Sequence, residues 1–203
     1  MPRSTALSPL PLPGGIRSRH VSGINGLTMH VLEAGFEDSG RPLVLLLHGF
    51  PELAWSWRKV MPALAAAGYH VIAPDQRGYG RTTGWDPGYD GDLGSFGMLS
   101  LARDALGLVA AFGRRSVAAV VGHDFGSPVA AWCALIRPDV FRSVVMMSAP
   151  FAGPPALPFD TLTFGGAVRD ALQECAATSI AGGAVYDALV ATTARTHSRM
   201  LLT

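Results

Sequence analysis

The chain has 203 residues, 49% of them hydrophobic and 15% charged, the composition of a folded globular domain and not of a disordered one. Sixteen Lys and Arg against fifteen Asp and Glu leave a net charge of +1, so there is no electrostatic case for a nucleic-acid or membrane partner. No stretch approaches the ~18 apolar residues of a membrane span, and Cys133 and Cys175 read as buried reduced thiols, too few for a metal site, so a cytoplasmic protein with no metal and no cofactor is expected.

Residues 1–16 contain Pro2, Pro9, Pro11 and Pro13 and read as a flexible lead, not a signal peptide. Residues 17–21 and 27–32 predict two short strands around Asn25-Gly26. Residues 43–47 form a continuous apolar run, suited to a central parallel strand, that ends in His48-Gly49-Phe50-Pro51-Glu52. Trp57, Val60, Met61 and Leu64 recur at helical spacing, and Gly68 closes that helix. A strand at 70–73 runs into Pro74-Asp75-Gln76-Arg77-Gly78-Tyr79-Gly80-Arg81, and 82–97 read as loop. Ala102, Leu106, Val109 and Phe112 mark a second helix, stopped by Gly113. A strand at 117–121, buried on both faces, leads through Gly122-His123-Asp124-Phe125-Gly126 into a helix with Pro128 in its first turn. Arg137-Pro138 closes that helix, and 143–148 is a further strand.

Strand and helix alternating at this rhythm predict an α/β fold: a mostly parallel, doubly wound sheet covered on both faces. Such sheets carry their sites at the carboxyl ends of the strands. The loops at 48–52 and 75–81 and Asp124 all fall at that edge. Glycines two before and two after Asp124 permit a very tight strand-to-helix turn that leaves the carboxylate in the open. The Phe125 N–H and a helix N-terminus face the same space. A carboxylate is ionised at neutral pH and attacks an sp³ carbon directly, giving an ester. The plainer alternative is that Asp124 caps the following helix.

Gly122-His123-Asp124-Phe125-Gly126 resembles the nucleophile elbow of α/β-hydrolases, with Asp where esterases carry Ser. His-Gly-Phe-Pro-Glu at 48–52 resembles the oxyanion loop of the epoxide hydrolase branch, and Asp-Gln-Arg-Gly-Tyr-Gly-Arg at 75–81 resembles the loop after its next strand. Order and spacing match across residues 17–150, taken as the hydrolase core. The resemblance implies that Asp124 opens a small apolar epoxide by attack on a ring carbon. It implies that the N–H groups of Phe50 and Phe125 hold the oxyanion during ester hydrolysis, and that Phe50, Trp55 and Phe125 line the substrate pocket. Pro51 would set its loop through a cis bond. Haloalkane dehalogenases place Asn and Trp at the positions of Phe50 and Phe125, and fluoroacetate dehalogenases place Arg after the nucleophile. Neither phenylalanine supplies such a donor, so the epoxide branch is preferred over a dehalogenase-like alternative. His48, His123 and Asp75 read as loop braces and Trp57 as core.

Beyond the strand at 143–148 the family continues with a helical cap bearing Tyr donors, then with strands bringing an acid and a histidine. After Pro150 this sequence holds a single histidine, His197, and a single tyrosine, Tyr186. The expectation is therefore an α/β-hydrolase sheet truncated after the strand that follows the nucleophile helix. Residues 151–203 would be a helical tail of uncertain origin, and a non-catalytic remnant or binding module is the rival function. The oligomeric state is not legible. The stretch 182–191 also resembles the later part of a PIN-domain nuclease, which would make Asp187 a metal-binding carboxylate. The other acids of that family have no match, so no metal is expected.

Overall fold

The computed structural model describes residues 7–149. The expected truncation, the tail 151–203 and with it Cys175, Tyr186, Asp187 and His197 lie outside the described residues. Strands β1 (Ile16–Ile24) and β2 (Leu27–Ala34) form a hairpin. Its two turn residues, Asn25 and Gly26, have φ of 49° and 84°, the left-handed pair that matches the twist of a two-residue hairpin. Then follow β3 (Leu43–Leu47), a 3₁₀ turn (Ala54–Lys59), α1 (Met61–Ala66) and β4 (His70–Pro74). A second 3₁₀ turn (Leu93–Phe96), α2 (Met98–Ala111), β5 (Ala119–His123), α3 (Gly126–Ile136) and β6 (Val144–Met147) complete the described part.

The six strands order as β1-β2-β4-β3-β5-β6. β2 runs antiparallel to β1 and to β4, and β3 to β6 are mutually parallel. The expected mostly parallel, doubly wound α/β-hydrolase sheet is thus observed. The chain leaves β3 toward β4 on one side and returns to β5 on the other. The order therefore reverses between β3 and β5, where open α/β sheets form their binding crevice. Alternation along the strands divides the core in two. Leu43, Leu45 and Leu47 pack with α2 and α3, whereas Val44 and Leu46 pack with α1 and the first 3₁₀ turn. That two-sided burial explains why β3 carries no polar residue.

Most strands differ from expectation by a few residues at their ends, and three elements differ for a clear reason. β5 begins at Ala119, not at residue 117, because Val117 makes only an isolated bridge to Phe141 before the chain meets β3. The helix expected through Trp57 is broken in two, since Pro62 cannot donate to the preceding turn. α2 starts at Met98, one turn ahead of its apolar periodicity. In the lead, β1 opens at Ile16, and Leu10 and Leu12 pack against the α1 side of the core. No helix among the described residues is long and apolar enough to cross a membrane.

Candidate active site

The turn between β5 and α3 is tight because two side chains are missing from it. A Cβ on Gly122 would lie 2.1 Å from the Gly126 carbonyl oxygen, and one on Gly126 would lie 2.3 Å from that of Leu47. Strand, helix and the end of β3 meet there backbone to backbone. Between the two glycines Asp124 takes φ 50°, a left-handed conformation that Asp tolerates better than most residues. Its own N–H donates to the Met147 carbonyl at 2.9 Å, and its carbonyl accepts from Ser127 N–H at 2.9 Å.

The loop after β3 comes against this carboxylate. A Cβ on Gly49 would stand 2.6 Å from Asp124 Cβ, so the loop reaches the elbow only because residue 49 has no side chain. The next N–H, that of Phe50, donates to Asp124 Oδ1 at 2.9 Å. This bond and the Phe125 N–H hold the carboxyl below the usual carboxylate range, so Asp124 is charged at neutral pH. The Phe50-Pro51 bond is cis, as expected for this loop. Glu52 closes it: its Oε2 accepts from Gly49 N–H at 3.2 Å and pairs with His123 Nδ1 at 2.9 Å.

His48 is fully buried. Its Nδ1 meets the Gly49 carbonyl at 2.8 Å, and its Nε2 accepts from Gln76 N–H at 3.0 Å. These partners fix the proton on Nδ1, and burial pushes the ring's pKa down, so it stays neutral and braces the loop. Tyr79 packs edge-on against it, with centroids 4.8 Å apart. Burial and the Asp124 charge raise the Tyr79 hydroxyl's pKa.

Comparison with known proteins matches residues 42–181 to the alpha/beta hydrolase fold family. The chain belongs to the α/β-hydrolases. It is 40% identical over 140 residues to an epoxide hydrolase of Caballeronia sordidicola, a match covering 69% of this chain and 39% of the relative. Among solved structures, an epoxide hydrolase from an endophytic Streptomyces aligns with a TM-score of 0.61 at 45% identity, over 69% of this chain and 39% of that one. Epoxide hydrolase A of Mycobacterium thermoresistibile aligns at 0.62 and 40% identity, over 75% and 44%. This α/β-hydrolase is therefore epoxide hydrolase-like over the segment described, and it spans less than half the length of those relatives.

The structure brings Asp124, Phe50 and Phe125 of this hydrolase together. Phe50 is 68% exposed, so its ring stands free while its N–H is engaged. Phe125 packs partly on the α2–α3 side of the core. Trp55 goes elsewhere: it packs on the α1 side, with the Arg58 guanidinium 4.7 Å over its ring. Trp57 is buried in the same cluster. Asp75 ties loops together: Oδ1 accepts from Ala54 N–H at 2.9 Å, and Oδ2 from Arg81 N–H at 2.9 Å.

Sequence reasoning missed Ser127. Its hydroxyl lies 2.8 Å from the Gly122 carbonyl and 2.9 Å from the Met147 carbonyl, and it accepts from Met147 N–H at 3.1 Å. It staples elbow, helix and β6. A hydroxyl in the first turn of an apolar helix was the available signal. The Glu52–His123 pair was missed as a pair because 71 positions separate its members.

Proposed function

We propose that this chain carries the nucleophilic half of an epoxide hydrolase. Asp124 attacks a ring carbon of a small apolar epoxide, the C–O bond breaks, an ester forms on the carboxylate, and the released alkoxide oxygen takes a proton from water. The observation that carries the reading is the 2.9 Å bond from Phe50 N–H to Asp124 Oδ1 at a left-handed elbow residue. In the free protein this donor orients the nucleophile. In the ester it faces the acyl oxygen, and together with Phe125 N–H it would hold the oxyanion formed when water attacks. The Phe50 and Phe125 rings supply apolar surface for the substrate. The names of the relatives support the substrate class.

Hydrolysis of the ester needs a base to deprotonate water. We assign none to the described residues, and expect at most slow, stoichiometric labelling with no sustained diol. The test is intact-mass and peptide analysis after incubation with styrene oxide, alongside a diol assay. One adduct on Asp124, absent in Asp124→Asn, is the expected result. Multiple turnovers lost in Asp124→Asn would overturn the single-turnover claim and make His197 the first candidate base. Turnover or labelling indifferent to Asp124→Asn would overturn the nucleophile assignment.

A further inference from the structure

A second chain of reactive groups runs from the hairpin to the loop after β4. The Asp75 Oδ2 atom that accepts from Arg81 N–H also meets His30 Nδ1 at 2.8 Å. His30 Nε2 lies 2.8 Å from Ser18 Oγ. His30 and Asp75 are 1% and 2% exposed, while Ser18 lies exposed on β1, the outermost strand. These are the distances and roles of a nucleophile, its base and an orienting acid, an arrangement recognised by geometry and not by fold or chain position.

The polarity follows from Asp75. Burial alone would raise its pKa, but the His30 bond and the N–H groups of Arg81 and Ala54 outweigh that and leave it below the usual carboxylate range. An ionised carboxylate accepts only, so Nδ1 carries the proton. In the neutral imidazole the Nε2 lone pair then faces the Ser18 hydroxyl. The ring is held in this orientation because it is buried and bonded at both nitrogens.

We infer that Ser18 is a second, base-activated nucleophile that accepts an acyl group from small activated esters. The Ser18 oxygen forms a bond to the ester carbonyl carbon as its proton passes to His30 Nε2. The carbon–oxygen bond to the leaving alkoxide or phenolate breaks, and that group takes the proton from His30 or from water. No oxidant, metal or cofactor is required. This activity is independent of Asp124.

The same strand supplies an internal control. Ser22 is also exposed on β1, but its hydroxyl accepts from Thr28 Oγ1 at 3.1 Å and not from a histidine-backed pair of the kind that holds Ser18. The full chain is treated with p-nitrophenyl acetate, and acetylation of Ser18 and Ser22 is followed by peptide mass spectrometry. General base catalysis contributes about 10²-fold or more, so Ser18 should label about 100-fold faster than Ser22. A ratio at or below about tenfold, within ordinary differences in exposure, overturns the proposal, because the histidine would then only be capped by the serine. His30→Gln should bring Ser18 down to the Ser22 rate with release of p-nitrophenolate reduced accordingly. Unchanged Ser18 labelling in that variant also overturns it. Should His30→Gln fail to fold, the ratio in the unaltered chain still decides.

Discussion

Replacing Gly122 with alanine is expected to cost chemistry more than stability. The new Cβ would sit 2.1 Å from the Gly126 carbonyl oxygen and 2.6 Å from Ser127 Cα. Both are backbone atoms, so no rotamer change relieves the contact. Opening it from 2.1 Å to 3.0 Å requires β5 and α3 to part by about 0.9 Å. Overpacking of this kind costs about 1–3 kcal/mol, and a chain of this size loses roughly 2–4 °C of Tm per kcal/mol. The same movement carries the Phe125 N–H and the Ser127 staple away from Asp124. A misplacement of about 1 Å at a reacting group costs about 100-fold in rate. The assay is the rate of styrene oxide labelling at Asp124, with a thermal melt in parallel. Gly14→Ala is the control, since a Cβ there meets nothing within 4 Å. The expected result is labelling slowed about 100-fold with a melt lowered by several degrees. Wild-type labelling in a folded Gly122→Ala would refute the close approach and the positioning argument built on it.

Two further tests address the scaffold. Arg77 makes a two-pronged pair with Asp104, Nε to Oδ2 at 2.7 Å and Nη2 to Oδ1 at 2.9 Å, and Asn25 Nδ2 donates to the same Oδ1 at 3.0 Å. Asp104→Ala leaves a buried guanidinium without its counter-charge and should cost about 3–5 kcal/mol in urea denaturation; a loss under about 1 kcal/mol, the range of an exposed pair, would contradict it. Burial would raise the Glu33 pKa, but the His70 and Arg17 bonds win and hold it at about 2 against an ordinary 4.5. The folded state thus binds fewer protons than the unfolded one in that window, so Glu33's contribution is full above about pH 4.5 and is lost as pH falls toward 2. Between about pH 5 and pH 3, urea denaturation should show the wild type losing more stability than Glu33→Gln, and parallel loss in the two would refute the assignment.

Much of the site was legible because its constraints are local. Gly122 and Gly126 bracket Asp124 within five residues, and their spacing alone predicts a turn too tight for side chains. Leu43, Leu45 and Leu47 with Val44 and Leu46 announce a strand buried on both faces. Pairings across long sequence separations were not legible. Nothing local tells that Glu52 will meet His123, or that Ser18, His30 and Asp75 will form one chain, because sheet order and register decide these. Trp57 shows a different failure. Its helical spacing was real, but Pro62 divided the element and periodicity alone does not see a missing N–H. Trp55 was placed by motif and turned by packing toward the α1 side.

Asp124 holds a left-handed φ of 50°. For a residue other than glycine such a conformation costs on the order of 1 kcal/mol. The reactivity proposed for this position therefore carries a conformational cost. Glycine at 124 would relieve that strain but give up the bond from Phe50 N–H and cost about 0.5–1 kcal/mol of backbone entropy, so a library of this chain screened only for heat resistance would not hold the carboxylate in place. Under the proposed function, variants that lost the carboxylate would be folded proteins without their nucleophile. Any effort to harden this scaffold has to hold residue 124 fixed and seek its gains elsewhere.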